Sequence, residues 1–289
     1  MKTRQLLSLI IFSVLLFSCQ KENTSGNKTV AAANYLNIAY ASDPLQKMDI
    51  YLPAGRTSSA TKVIVMIHGG AWSGGDKTEL SPFVDTLKRR LPGYAIFNIN
   101  YRLSAAPNNL FPTQENDVKA AMEFIYSKAA EYSISDKYAL IGASAGGHLA
   151  MLQGYKNSGT KKPKAVVSFS GPSDMVDMYN NPAGGNPLLS LLLASVVGAT
   201  PGQNLLLYTN SSPANFITSN AAPTLLLYGD TDPIVKYSQG ELVKNKLQTA
   251  GVVNQYVLYP GTAHVDTWNS LIFFDSFNKI EAFLTAHVL

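Results

Sequence analysis

The chain has 289 residues, of which 46% are hydrophobic and 15% charged, and its formal net charge is +4. This length and apolar content suffice for a large buried core and exclude an intrinsically disordered protein. One cysteine and four histidines exclude an intrachain disulfide and a Cys/His zinc cluster, and the lack of a basic stripe argues against a nucleic-acid partner.

The N-terminal residues resemble an export signal rather than part of a folded domain. Lys2 and Arg4 precede an apolar run at 6–17, which is shorter than a membrane-spanning helix. Leu16-Phe-Ser-Cys19 is similar to a bacterial lipoprotein box, in which the cysteine is lipidated and becomes the mature N-terminus. We therefore predict a signal peptide at 1–18 and a polar tether at 19–34. The protein is then exported and anchored to a membrane of the bacterial cell envelope through Cys19; the alternative is an ordinary signal peptide with a chance cysteine.

Apolar strand patterns alternate with helical patterns from residue 35 to residue 289. Strands are predicted at 36–40, 48–52, 62–67, 94–99, 138–141, 165–169, 224–228 and 256–258. Helices are predicted at 81–91, 118–129, 145–155, 238–250 and 270–287. This alternation predicts one α/β domain with a mostly parallel central sheet and helices on both faces.

Residues 175–222 interrupt the alternation. They are rich in Asn, Pro and Gly around a very apolar segment at 188–197, which is too short to cross a bilayer. A helix buried against the core would explain this segment. A lid-like cap insertion beside an active site would explain it equally well.

Ser144 lies at the centre of Gly142-Ala-Ser-Ala-Gly146, between a predicted strand and a predicted helix. A serine on a sharp strand-to-helix turn has an exposed hydroxyl, and its neighbours must be small so that the backbone can close. The N-terminus of the following helix favours developing negative charge. The pattern predicts a nucleophile elbow with Ser144 as the nucleophile.

A nucleophilic serine needs a base, and His264 is the best placed of the histidines. His148 comes four residues after Ser144, where a helix directs its side chain into packing. His68 lies in a glycine loop in which we expect a structural role, and His287 is two residues from the C-terminus. His264 follows the last predicted strand and therefore shares the carboxyl edge of the sheet with Ser144.

Two aspartates follow the strand at 224–228 and are candidates for the carboxylate that orients His264. The chain order Ser–Asp–His allows either of them. We assign this role to Asp232. We expect Asp230 to bond nearby backbone amides of the turn, as aspartates in such loops commonly do.

The segment His68-Gly-Gly-Ala-Trp72 directly follows the strand at 62–67. Consecutive glycines let backbone amides approach a ligand closely, as an oxyanion hole requires. We expect the amides of Gly70, Ala71 and Ala145 to form that hole. Trp72 is a candidate for a wall of the substrate pocket, with plain packing as the alternative.

These motifs together resemble the α/β-hydrolase superfamily, in particular its BD-FAE-like group (bifunctional acetylxylan and feruloyl esterases) and the hormone-sensitive-lipase-type esterases. The resemblance covers about residue 48 to the C-terminus. It rests on the segments 68–72, Tyr101-Arg-Leu103, Phe111-Pro112, Asp117-Val-Lys-Ala-Ala121, Gly142–Ala150, Ser212-Pro213, Ala222-Pro-Thr-Leu225, Gly229-x-x-Asp232-x-x-Val235 and His264. The family pattern at Gly229–Val235 also places the acid at Asp232, whereas the segment at 188–197 departs from the family.

The resemblance implies an α/β-hydrolase fold and a secreted serine esterase that cleaves carboxylic esters through an acyl-enzyme. Its substrates would be small esters or acetylated or feruloylated carbohydrates. No metal or organic cofactor is expected, because the carboxylates do not fall in a ligand-spaced cluster. One fold hosts many chemistries, so two alternatives remain: an arylformamidase, amidase or peptidase on the same residues, and a catalytically inactive, hydrolase-like binding module.

Overall fold

A computed structural model describes residues 30–156 and 161–289, and one eight-stranded sheet runs through this part of the chain. The strands are β1 (Ala33–Ala39), β2 (Lys47–Leu52), β3 (Lys62–Ile67), β4 (Tyr94–Ile99), β5 (Tyr138–Ala143), β6 (Ala165–Phe169), β7 (Thr224–Gly229) and β8 (Asn254–Tyr259). Their order across the sheet is β1-β2-β4-β3-β5-β6-β7-β8. The pairs β1–β2 and β2–β4 are antiparallel, and the other five pairs are parallel.

Helices connect the parallel strands and cover both faces of the sheet. They are α1 (Ser81–Arg90), α2 (Thr113–Ser127), α3 (Ala129–Tyr132), α4 (Ala145–Tyr155), α5 (Met175–Asn180), α6 (Pro187–Val197), α7 (Leu205–Asn210), α8 (Ser238–Thr249) and α9 (Ser270–His287). Helices α2, α4 and α8 bury their apolar side chains on one face, and α1 and α9 do so on the other. The predicted α/β class with a mostly parallel sheet is confirmed.

Strand β3 shows why continuous apolar runs predict this sheet. Val63, Val65 and Ile67 point into the core beneath α2 and α4, whereas Ile64 and Met66 point into the core beneath α1 and α9. All five side chains are fully buried. A strand covered on both faces has no solvent side, so it has no polar alternation.

The fold begins slightly earlier than the sequence pattern predicts. Strand β1 starts at Ala33, two residues before the predicted start of the domain at residue 35. Val30 is already tied to the fold, because its carbonyl accepts a hydrogen bond from the amide of Gly55 at 2.8 Å. The predicted signal peptide and the lipidation site at Cys19 lie outside the described residues. No helix in the described part of the chain is long and apolar enough to cross a bilayer.

The interruption at 175–222 contains α5, α6 and α7, and its apolar segment is helix α6. Leu193, Val196 and Val197 of α6 are buried in the core, as the packing explanation requires. Leu188 and Leu191, on the same helix, are exposed. Helix α6 is therefore a surface helix with one buried face.

Gly146 lets the first turn of α4 approach the end of β3 much more closely than any other residue would. A Cβ atom at this position would lie 2.0 Å from the carbonyl oxygen of Ile67 and 2.5 Å from that of His68. Both neighbours are backbone atoms, which cannot rotate away. This approach brings the N-terminus of α4 beside the loop that follows β3.

We expect Gly146→Ala to lower the free energy of unfolding by about 1–3 kcal/mol or more, because the added methyl group overpacks a backbone contact. Gly202→Ala is the matched control, since a Cβ there meets only the Thr200 hydroxyl at 3.9 Å. Urea unfolding of both variants checks this. Equal stability of the two variants would show that the contact at Gly146 can relax freely.

Candidate active site

Three side chains meet at the carboxyl edge of the sheet, each just after a different strand. Ser144 follows β5, Asp232 follows β7 and His264 follows β8. In parallel sheets of this kind, ligands bind outside the carboxyl ends of the strands. The topology therefore brings together the three residues that the sequence singles out.

Ser144 has the backbone strain that a nucleophile elbow requires. Its φ of 53° and ψ of −119° lie in a region that residues other than glycine rarely adopt. Its amide donates to the carbonyl of Phe169 at 2.7 Å, and the carbonyl of Ser144 accepts from the amide of His148. The side chain thus stands half-exposed between the end of β5 and the start of α4.

His264 and Asp232 form a buried hydrogen-bonded pair. The distance from His264 Nδ1 to Asp232 Oδ2 is 2.7 Å, and both residues are under one-tenth exposed. The other carboxylate oxygen of Asp232 accepts from the amides of Ile234 and Val235 at 2.8 and 2.9 Å. These amides fix the carboxylate, which in turn places the proton of the neutral imidazole on Nδ1 and leaves Nε2 as an acceptor.

Asp230 occupies a different position from Asp232. One of its carboxylate oxygens accepts from the amide of Thr262 at 3.4 Å, and its own amide donates to the carbonyl of Tyr259. These contacts join the turn that follows β7 to the turn that follows β8. Asp230 therefore bonds the turn, and Asp232 is the aspartate that contacts His264.

The loop after β3 presents two free backbone amides to the site. Gly70 and Ala71 both have positive φ angles, 93° and 51°, and their amides donate to no atom of the described residues. The amide of Ala145, in the first turn of α4, has no intrahelical acceptor. The hydroxyl of Tyr101 is within hydrogen-bond distance of this loop, at 3.1 and 2.9 Å from the carbonyl oxygens of His68 and Gly69.

The two remaining histidines near the site are buried and do not contact the Ser144 hydroxyl. His68 stacks on Tyr101 with ring centroids 4.3 Å apart, and its Nδ1 bonds the carbonyl of Gly69. His148 bonds the Trp72 indole and the carbonyl of Ser211. Burial lowers the pKa of each imidazole to about 4, so both are neutral at pH 7.

A cavity of about 610 Å³ opens onto Ser144 and His264. It is lined by Gly69, Gly70, Ala71, Glu79, Leu80, Phe83, Ala143, Ser144, Ile234, His264, Val265, Asp266 and Phe273. Two predictions for its wall are not met. Trp72 is 2% exposed and does not line this cavity, so its side chain serves in packing, the alternative given above. No residue at 175–222 lines it either; in that segment, the turn at Pro213–Phe216 packs against α4 and α8.

The described residues, 30–156 and 161–289, include no group of three or more His, Cys, Asp or Glu side chains arranged to hold a metal ion.

A sequence profile of the BD-FAE family matches residues 48–247, a range that includes the loop after β3, Ser144 and Asp232. The chain belongs to the BD-FAE family. The match ends before His264, which the structure nevertheless pairs with Asp232.

Relatives of this BD-FAE chain include two proteins of Mycobacterium tuberculosis. "Probable carboxylic ester hydrolase LipM" is 31% identical over 218 residues, which are 70% of this chain and 48% of that protein. "Esterase LipC" is 24% identical over 240 residues, 78% of this chain and 58% of that protein. The chain thus spans about half the length of these relatives.

Solved structures share the fold of the BD-FAE chain. A "Bifunctional GH43-CE" of Bacteroides eggerthii superposes with a TM-score of 0.75 and 28% identity, over 89% of this chain and 35% of that one. A "Truncated form of carbohydrate esterase from gut microbiota" gives a TM-score of 0.72 and 26% identity, over 89% of this chain and 98% of that one. An esterase of Thermogutta terrifontis, at 19% identity and a TM-score of 0.71, supports the fold alone.

Several residues of the BD-FAE site escape the sequence analysis. Phe273 comes from α9 and Phe83 from α1, and their rings lie 5.0 Å apart beside the cavity. Their sequence patterns are those of ordinary amphipathic helices, and such patterns do not indicate which side chains line a pocket. Tyr101-Arg-Leu103 is part of the family resemblance, but only the structure shows that the Tyr101 hydroxyl bonds the loop after β3.

We expect the free energy of unfolding to fall as the pH is lowered from 7 to 5. His68 and His148 are neutral when folded, with pKa values of about 4, whereas in the unfolded chain they titrate near 6.5. The unfolded state therefore binds more protons in this window, which costs about 2 kcal/mol of stability for each histidine.

Urea unfolding at pH 7 and pH 5 measures this loss. His148→Leu removes one of the two titrating groups, so the pH-dependent loss of the variant should be about half that of the parent, whatever its stability at pH 7. A pH-independent unfolding free energy between 7 and 5 would contradict the prediction.

Proposed function

We propose that this protein is a serine hydrolase that cleaves carboxylic esters through an acyl-enzyme. The observation that carries the proposal is the placement of Ser144, on a strained strand-to-helix turn, in one cavity with a histidine that a buried aspartate orients. The named ester hydrolases and carbohydrate esterases among its relatives support it.

In the first half of the reaction His264 Nε2 takes the proton from the Ser144 hydroxyl as Oγ attacks the ester carbonyl carbon. The carbonyl oxygen becomes negatively charged in the tetrahedral intermediate and accepts hydrogen bonds from the amides of Gly70, Ala71 and Ala145. The protonated His264 then gives its proton to the leaving alcohol as the carbon–oxygen bond breaks. Ser144 is left acylated.

In the second half water replaces the alcohol. His264 takes a proton from the water, the hydroxide adds to the acyl carbon, and collapse of the intermediate releases the carboxylic acid and returns the proton to Ser144. Asp232 stabilises the imidazolium form of His264 in both halves. Because the pair is buried, this charge interaction is screened less than it would be in water.

The walls of the cavity favour neutral esters with an apolar or aromatic acyl group. Leu80, Phe83 and Phe273 form an apolar side. Glu79 and Asp266 are the charged residues of the wall, and none of the residues lining this cavity in the described chain is a lysine or arginine. A substrate carboxylate would meet two like charges there, whereas an uncharged sugar would not. We propose acetyl or feruloyl esters of neutral carbohydrates as the substrates.

Ser144→Ala should lower kcat/KM for 4-nitrophenyl acetate by a thousandfold or more, because it removes the nucleophile. Asp232→Asn should also lower kcat severely, since the amide favours the wrong imidazole tautomer. Asp230→Asn is the matched control, two residues away and without contact to His264, and it should retain kcat within about threefold.

Two results would overturn this assignment. One is turnover by Ser144→Ala equal to that of the parent. The other is a parent enzyme that folds but hydrolyses no ester, in which case formamide and peptide substrates test the amidase alternative, and their failure would favour a binding module.

Acetate release from acetylated xylo-oligosaccharides and ferulate release from feruloylated arabinose test the substrate class. We expect release of at least one acid from these neutral sugars, and slower hydrolysis of 4-nitrophenyl hemisuccinate than of 4-nitrophenyl butyrate, because the former places a carboxylate near Glu79 and Asp266. An enzyme that is active on simple esters but releases neither acid would contradict the carbohydrate assignment.

A further inference from the structure

His148 is a buried polar residue that the proposed mechanism does not use. It lies in α4, one turn after Ser144, and its side chain is fully buried. The indole Nε1 of Trp72 donates to His148 Nδ1 at 3.1 Å, and His148 Nε2 lies 2.7 Å from the carbonyl oxygen of Ser211. The indole and imidazole planes meet edge to face, at 85° and 5.1 Å.

The two partners fix a single form of the imidazole. An indole N–H only donates, so Nδ1 must be the acceptor. A backbone carbonyl only accepts, so Nε2 must carry the proton. Both bonds exist together only in the neutral Nε2–H tautomer, and burial favours that neutral form by lowering the pKa of His148.

Trp72 directly follows Ala71 in the loop at 68–76 that carries the Gly70 and Ala71 amides. Ala71 and Trp72 both have positive φ angles, 51° and 60°, a conformation that costs free energy in residues with a Cβ atom. Such a conformation persists only where the surroundings hold it. The side chain of Trp72 is held by His148, and its carbonyl accepts from the amide of Ser104 at 2.8 Å.

We propose that His148 is a positioning residue that holds Trp72, and through it the strained loop, so that the Gly70 and Ala71 amides point at the carbonyl oxygen of the substrate. This inference rests on the proposed function. It connects the nucleophile helix to the oxyanion loop through one side chain. It also ties both to the 175–222 segment, because the other partner of His148 is the carbonyl of Ser211.

Trp72→Phe removes the indole N–H and is the first test. The complete loss of an oxyanion donor costs about a hundredfold to a thousandfold in kcat. Misaimed donors should cost less, so we expect kcat for 4-nitrophenyl acetate to fall about tenfold to a hundredfold. KM should change less than twofold, because the amides act mainly on the transition state. Binding of a trifluoromethyl ketone, which forms a tetrahedral adduct on Ser144, should weaken by the same factor as kcat/KM.

Tyr155→Phe is the matched control for a general loss of packing. It removes a buried hydroxyl of the same helix, one that bonds the Thr224 hydroxyl at 2.9 Å, remote from the loop. It should lower the melting temperature while leaving kcat and ketone affinity unchanged.

His148→Leu and His148→Asn complete the test. His148→Leu should lower kcat as much as Trp72→Phe, and the double variant Trp72→Phe/His148→Leu should be no worse than either alone, because both remove the same bond. His148→Asn keeps an acceptor close to the position of Nδ1 and should recover most of kcat. If His148→Leu fails to fold, Trp72→Phe and His148→Asn still test the positioning role of His148.

Two outcomes would overturn the positioning role while the esterase proposal stands: a Trp72→Phe enzyme with parental kcat and ketone affinity, or losses that add fully in the double variant. An inactive parent would instead indicate failure of the proposed function. The two failures are therefore distinguishable in one experiment.

Discussion

The contact between the first turn of α4 and the end of β3 is the constraint on which the site depends. Gly146 lies so close to the carbonyl of Ile67 that no Cβ atom fits between them. This contact puts the N-terminus of α4 beside the loop at 68–76, and Ser144, on the turn before α4, opens onto the same cavity as that loop. A Cβ atom at Gly69 would lie only 3.1 Å from the carbonyl of Ala143, so the loop and the elbow touch along their backbones.

Because the loop and the turn at Ser144 are this close, other contacts must hold the loop in its strained conformation. Two buried polar groups hold it from different elements. The Tyr101 hydroxyl contacts the carbonyls of His68 and Gly69 at its start, and the Trp72–His148 bond holds it at Trp72. The residue after Tyr101, Arg102, pairs its guanidinium with the buried carboxylate of Asp117. Hydrogen bonds of this kind favour one arrangement strongly, because a buried polar group that loses its partner pays the cost of desolvation.

The charged and polar groups of the site occupy separate positions that suit the proposed ester cleavage. The Asp232–His264 pair is buried, where water would compete little for the imidazolium of the proposed reaction. Gly70 and Ala71 line the cavity, where the proposed reaction would develop negative charge on the substrate oxygen. Glu79 and Asp266 stand on the exposed wall of the cavity, where they bear on the choice of substrate rather than on the chemistry.

The sequence by itself determined the α/β class, five of the eight strands to within a residue at each end, and the identity of the Ser144, Asp232 and His264 cluster. It could do so because buried parallel strands are apolar throughout, and because an elbow admits only small residues around its serine. The predictions missed the start of β1 and both ends of β8, which are edge strands with weak burial patterns, and they stopped two residues short of the end of β5. Only the tertiary structure decided which side chains form the cavity, that Trp72 is buried against His148, and that the 175–222 segment packs against α4 away from the cavity over Ser144. These features depend on contacts between residues far apart in the chain, such as His148 with Trp72 and Ser211. A local pattern records the propensity of a segment to form a helix or strand, but not the partner that its side chains will meet.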